Sequence, residues 1–401
     1  MIQVEVASPG VASTAETVAP HVHARVPALD GLRGLTVLMV LLFHGLRWHI
    51  ADFPGGTAFD RWLSDRATFL WVGVDLFFVL SGFLITGILL ETRRSPDRYR
   101  SFYGRRVLRI MPLYQATVAI VLLALPWAGI DPGAAETPWG KMSYFLFLQN
   151  YGFALDGFRT PCLAHLWSLA IEEQFYLVWP FVVFASGRRR LAWTATGLVA
   201  LSATVRYGAK TSGLSAMSNY VNTYTRLDGL AVGALLALAV GSGSVGVRRA
   251  VAWGWPAGAV ATAGAAWMLC AEMNFVYLYP ARQAWGYVAV ALTGGALVAL
   301  CVQPAPANPF RTAMGWGWLQ ALGRLSYGIY VLHVPLDQVV GPWFWNPRAG
   351  GRAAVMNHVA FPTIFYTIGL IGTSVLVAKI SWLLLEAPAL RLKRYFSYRP
   401  Q

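Results

Sequence analysis

Arg33 and His44 stand eleven residues apart, close to three turns, so on a continuous α-helix they share one face about 16 Å apart along the axis. An imidazole can take a proton from a hydroxyl near neutral pH, and a guanidinium can hold an anion. The competing readings are a histidine that bonds only to a neighbouring helix and an arginine that snorkels to lipid phosphate. Asp75, the one acid in residues 71–86, can orient His44 or an acceptor sugar. Glu172 can do the same. Ser168 and Glu172, four apart, face one way, while Glu173 is turned about 100° from Glu172.

Arg106 and Arg109 are three apart and can clamp a phosphate-bearing group, with Arg105 beside them. Membrane topology and anionic lipid account for the same arginines in another way. Arg226 with Asp228, and His333 with Asp337, can line a cavity as substrate-binding groups or close as internal ion pairs. Ser81-Gly82 reads best as a site of close helix approach.

These side chains need apolar helices to hold them. Of 401 residues, 56% are hydrophobic and 12% charged, about half the charged share of a soluble domain. The sequence predicts an all-α polytopic membrane protein of about ten spans, at 32–50, 71–91, 110–127, 168–186, 191–207, 228–243, 251–271, 285–303, 321–341 and 361–385. Barrel strands would instead alternate apolar and polar residues.

The net charge of +14 lies in short loops, a pattern of topology rather than of nucleic-acid binding. Seven arginines against Asp97 in residues 92–110 place that loop in the cytoplasm, and alternation then puts both termini inside, in a plasma (inner) membrane. Residues 1–24 read as a disordered tail, 25–395 as the membrane domain and 396–401 as a C-terminal tail. The long outer loop, about 128–167, reads as a lid or acceptor vestibule, with an interfacial or re-entrant stretch at 142–151. The three cysteines, Cys162, Cys270 and Cys301, have no metal-ligand spacing, so no metal is expected. A Cys162–Cys270 bridge is open, with two separate thiols the favoured reading.

Eight stretches together resemble the acyltransferase 3 family of membrane O-acyltransferases. They are PALDGLRGL, the Arg33-to-His44 spacing, GVDLFFVLSGFLIT, the Arg106–Arg109 pair, LWSLAIEEQFYLVWP, RLDGLAVGALLA, LGRLSYGIYVLHVPL and LLLEAPALRL, in the family's order from Val26 to Tyr395. The resemblance implies an acyl-coenzyme A donor on the cytoplasmic side and an acceptor reached from outside. His44 would be the essential residue, Arg33 its motif partner, Glu172 the acid of the fourth-helix motif, and Arg106 and Arg109 the basic pair facing the donor. Family acceptors include surface polysaccharides, peptidoglycan, glycolipids and macrolides, and the default acyl group is acetyl. Some relatives carry an extracytoplasmic esterase-like domain; here acceptor presentation is expected from the membrane domain or a separate protein.

The expected chemistry is transfer to a carbohydrate or glycosylated hydroxyl with His44 as general base, or through an acyl-histidine. A transporter or flippase for a glycolipid or sugar conjugate would move substrate without consuming thioester, and a membrane scaffold would do neither.

Overall fold

The computed structural model describes residues 26–51, 57–131, 136–209, 212, 215–241, 280–303, 308–341 and 360–398. Among these residues every regular element is helical. The long helices are α1 (Pro27–Leu42), α2 (Ala58–Thr68), α3 (Val72–Glu91), α4 (Arg98–Ala119), α5 (Trp167–Ala185), α6 (Arg188–Ala209), α7 (Leu227–Val240), α8 (Pro280–Val302), α9 (Gly317–Pro335) and α10 (Ala360–Ser381).

Six stretches are long and apolar enough to cross a membrane: Pro27–Ile50, Ala58–Glu91, Arg98–Trp127, Pro161–Ala185, Ala284–Val302 and Ala360–Phe396. The expected spans at 191–207 and 321–341 fall on α6 and α9, whose polar and basic residues keep them out of that set. The span at 228–243 falls on α7, which is apolar but shorter. The span expected at 251–271 and the tail expected at 1–24 lie outside the described residues, as does Cys270; Cys162 is buried.

Lipid tails are as apolar as leucine, so helices in a bilayer associate by close packing rather than by escape from water. Two glycine seams do this here. On α1 a Cβ at Gly34 would come within 2.0 Å of the Leu319 carbonyl, and one at Gly323 of α9 within 1.7 Å of the Asp30 carbonyl. A Cβ at Gly82 of α3 would sit 1.9 Å from the Leu230 carbonyl of α7, and one at Gly233 would sit 2.1 Å from that of Val79. Backbone therefore touches backbone at both crossings, and α1 is pinned to α9 as α3 is to α7.

Four helices pass through a π-helical turn: Phe43–Arg47 after α1, Ile120–Ala124 after α4, Leu336–Val340 after α9 and Trp382–Glu386 after α10. Pro126, Pro335 and Pro388 adjoin the last three; proline cannot donate to the carbonyl four residues back and displaces the ladder. The turn holding His44 has no such proline. Its Gly45 lies against Thr367 of α10, which a Cβ would meet at 2.6 Å.

The basic segments gather on one face. Arg93 donates to the Ser186 carbonyl at 2.7 Å, and Arg188 to that of Leu238 at 2.6 Å. Ser101 and Arg105 donate to the carbonyls of Ser397 and Phe396 at 3.0 and 2.6 Å. The tail expected from residue 396 thus begins docked on α4, because Gly104 leaves room for the Phe396 ring.

Candidate active site

A cavity of about 370 Å³ opens among α1, α3, α4, α5 and α9. Arg33, Arg105, Arg106, Arg109 and Lys393 line it, together with Glu172. Aromatic faces hold several of these cations: Arg106 lies 5.6 Å over Tyr176, Arg109 5.9 Å over both Tyr327 and Trp382, and Arg105 5.2 Å over Tyr398. Stacking fixes a guanidinium's plane while leaving its edge donors for a ligand. Burial pushes the Tyr398 phenol above its ordinary range, opposed by the positive charge of Arg105 and Arg106, so the ring beside Arg105 stays a neutral phenol.

Glu172 projects into the same space. Its carboxylate accepts from Ser81 Oγ at 3.0 Å and from Tyr176 Oη at 2.9 Å. It does not touch His44. Glu173 points elsewhere, as its rotation on the helix requires, and its buried Oε1 has no hydrogen-bond partner among the described residues.

Phe77, Ser168 and Tyr330 also line the cavity. Ser168 Oγ lies 2.5 Å from Tyr330 Oη, and Tyr330 donates to the His165 carbonyl at 2.9 Å. Behind this pair of hydroxyls lie three buried imidazoles, those of His44, His165 and His333. The rings of His44 and His333 are 4.9 Å apart, and those of His165 and His333 5.0 Å. His44 is therefore not in the cavity wall with Arg33, although their spacing predicts a shared face. Tyr330, which lines the cavity, has its ring 5.7 Å from that of His333.

Backbone carbonyls assign the tautomers, because a carbonyl can only accept. His333 Nδ1 lies 2.7 Å from the Tyr330 carbonyl and must carry its proton there, which leaves His333 Nε2 as a lone pair. His44 Nδ1 lies 2.9 Å from the Val40 carbonyl and 3.2 Å from His333 Nε2. Its proton is shared between those two acceptors. The basic nitrogen of His44 is then Nε2, the atom a general base needs free.

Three pairings differ from expectation. Asp75 does not orient His44: its Oδ1 takes Arg226 Nη2 at 2.6 Å, with side chains 4% and 0% exposed. Arg226 is further enclosed by Tyr287 at 4.0 Å, and by Phe78, Trp167 and Tyr220. Asp228 pairs at 2.6 Å with Arg206 of α6, which also donates to the Thr225 carbonyl. Arg226 and Asp228 thus bolt the start of α7 to α3 and to α6, and neither lines the cavity as a substrate-binding group. Asp337 bonds His49 at 2.9 Å and Tyr366 at 2.6 Å, not His333, because the π turn after Pro335 breaks the four-residue register.

Sequence reasoning missed His165, Arg206 and Gln174. Gln174 is a hub. It donates to the carbonyl of Phe147 at 2.7 Å and to Asn150 Oδ1 at 2.9 Å, and accepts from Thr223 at 2.5 Å and from Tyr151 at 3.1 Å. Phe147 is the one non-glycine residue with positive φ, 56°, among the described residues, a conformation that needs such support. The signal in the sequence is an amide beside Glu172 and Glu173 in an otherwise apolar stretch. Among the described residues no group of three or more His, Cys, Asp or Glu could hold a metal.

A multi-helix bundle of this kind, with a buried imidazole pair behind an arginine-lined cavity, defines a membrane protein with a polar centre. The chain belongs to the acyltransferase 3 family, whose model, described as an acyltransferase domain, matches residues 26–382. It is 27% identical over 404 residues to the peptidoglycan O-acetyltransferase OatA of Listeria monocytogenes, covering 93% of this chain and 57% of that one. It is 26% identical over 411 residues to the O-acetyltransferase OatA of Staphylococcus aureus, covering 94% and 59%. It is also 31% identical over 350 residues to YrhL of Bacillus subtilis, covering 81% and 51%; YrhL's naming as a peptidoglycan O-acetyltransferase is provisional. The chain spans roughly half the length of these relatives. No solved structure matches it.

Proposed function

We propose that the protein is a membrane O-acyltransferase that moves an acyl group, acetyl by default, from acyl-coenzyme A to a hydroxyl of a carbohydrate or glycosylated acceptor. The observation that carries this reading is the arginine-lined cavity whose wall includes Tyr330, a neighbour of His333 in the His44–His333 pair. The donor's phosphates bind at Arg105, Arg106, Arg109 and Arg33, where planar forks suit phosphate geometry. The thioester arm runs past Glu172 to Ser168 and Tyr330, and the Tyr330 ring turns aside to admit it.

His44 Nε2 then removes the proton of the acceptor hydroxyl as its oxygen attacks the thioester carbonyl. The carbon–sulfur bond breaks, and the coenzyme A thiolate leaves with the proton that His44 returns. His333 holds the His44 ring through the lone pair on its Nε2 and shares the charge of the transient imidazolium.

In this reading the basic face is cytoplasmic, the chain makes about ten crossings with both termini inside, and the membrane is the plasma membrane, following the distribution of Lys and Arg. The relatives' names favour a cell-wall glycan as acceptor; a glycolipid or macrolide presents the same hydroxyl chemistry. The test is acyl transfer in proteoliposomes, with thiol release counted against acylated product. Wild type should release one thiol per ester formed, and His44→Ala should reduce both to background. His44→Ala at the wild-type rate, or substrate movement without thiol release, would remove the assignment.

A further inference from the structure

A second cavity, of about 420 Å³, lies between the short helices Pro138–Phe145 and Gln149–Asp156, in the connection between α4 and α5. Its size falls in the roughly 300–1,000 Å³ range of small-ligand sites. Glu136, Trp139, Tyr144, Gln149, Asp156 and Arg159 are among its walls. Trp139 is 81% exposed, a bare indole face at the rim. Asp156 and Arg159 form a half-exposed pair at 3.0 Å, weak enough to yield to a ligand. Glu136 Oε1 lies 3.3 Å from Tyr144 Oη and 3.2 Å from Thr160 Oγ1.

One wall residue of this groove is hydrogen-bonded to the segment that carries His165. Gln149 donates through Nε2 to Tyr114 Oη at 3.0 Å and to the Leu166 carbonyl at 2.8 Å, and Leu166 follows His165 of the imidazole cluster. Gln149 Oε1 is buried with no partner among the described residues. An orphaned acceptor of this kind is costly unless a donor reaches it. Aromatic platform, acceptor oxygens and an unmatched amide together suit a flat molecule with many hydroxyls. The charged walls sum to one negative charge, from Glu136, Asp156 and Arg159, so a polyanion is disfavoured and an uncharged one is not.

We propose that this groove binds a neutral sugar unit of the acceptor, stacked on Trp139 with its hydroxyls on Glu136, Asp156 and Gln149, and delivers the adjoining unit toward the imidazole cluster. The inference rests on the acyltransferase reading for its direction but not for its binding. The experiment uses the full-length protein in nanodiscs, with chitotetraose as neutral probe and tetragalacturonate as its anionic counterpart. Binding is followed by saturation-transfer NMR and transfer by acceptor KM with acetyl-coenzyme A.

Wild type should bind chitotetraose and not tetragalacturonate. Trp139→Ala should weaken chitotetraose about tenfold, the scale of one lost aromatic contact, with coenzyme A binding unchanged. Trp139 is exposed, so the variant folds; Glu136→Gln should act in the same direction. Equal binding of both probes, or unaltered chitotetraose binding in Trp139→Ala, overturns the proposal. So does a Trp139→Ala effect confined to adhesion to lipid vesicles, which would make the indole a membrane anchor. Groove-dependent binding without any transfer would sustain the groove and sink the acyltransferase reading, whereas transfer with an unshifted acceptor KM in the variants would do the reverse.

Discussion

Replacing Asp75 by leucine separates chemistry from architecture. Among the described residues the Arg226 guanidinium has one anionic partner at hydrogen-bond distance, 2.6 Å, no exposed side-chain surface, and two nitrogens, Nε and Nη1, without hydrogen-bond partners. Removing the carboxylate leaves a buried, uncompensated charge, which costs roughly 3–5 kcal/mol. The ring of Tyr287 at 4.0 Å offsets about 1–2 kcal/mol of that at most, and it is present with or without Asp75. At about 1.4 kcal/mol per tenfold, the folded population relative to the unfolded should fall by two to four orders of magnitude. Asp75→Leu/Arg226→Met removes both charges and should recover most of the loss. The measurement is reversible SDS unfolding in bicelles, paired with acyl transfer per folded molecule. Asp75→Leu of near-native stability but without transfer would refute the reasoning and return Asp75 to the reaction itself.

His333→Phe keeps a ring of similar size but removes the lone pair facing His44 Nδ1; kcat should fall by about 10–100-fold with little change in the KM for acyl-coenzyme A, as for other groups that orient a working histidine, and an unchanged kcat in steady-state assays would count against the pair. Gly34→Val drives side-chain carbon into the Leu319 carbonyl 2.0 Å from the ideal Cβ position, so α1 must shift on α9; the SDS unfolding midpoint should drop, and transfer should fail even in the fraction that stays folded.

Much of the scaffold could be read from residue patterns. Ser81-Gly82 marks a close crossing because no other side chain permits one, and the apolar windows at 71–91 and 168–186 land on α3 and α5 within a few residues. The three arginines at 105, 106 and 109 share one cavity because helical spacing is local and needs no knowledge of the neighbours. Pairing across helices is another matter. Arg226 and Asp228 are two apart and so cannot face each other on a helix; their true partners, Asp75 and Arg206, lie on helices whose order in the bundle no spacing encodes. His333 and Asp337 have the right spacing for a pair, yet the π turn after Pro335 rotates the aspartate away toward His49 and Tyr366. His165 sits in a short 3₁₀ segment, Pro161–Leu166, with no periodic signal, and only its three-residue offset from Ser168 hinted at a place in the site.

The position of Tyr330 has its own consequence for the proposed reaction. A thioester held beside a free imidazole and water would be hydrolysed, so an enzyme of this kind gains by keeping His44 apart from the donor until an acceptor arrives. In the proposed reaction Tyr330 is the side chain suited to that task. Tyr330 lines the arginine-rich cavity, is bonded to Ser168 and the His165 carbonyl, and lies three residues before His333 on α9. The bonds that hold it are two neutral hydroxyl contacts, worth on the order of 1 kcal/mol each, so turning it aside is inexpensive compared with the barrier to acyl transfer. Its partner carbonyl belongs to His165, one residue from Leu166, on which Gln149 of the second groove is anchored. The same short segment, Pro161–Leu166, thus accepts from the Tyr330 hydroxyl, carries one of the imidazoles and anchors Gln149 of the groove.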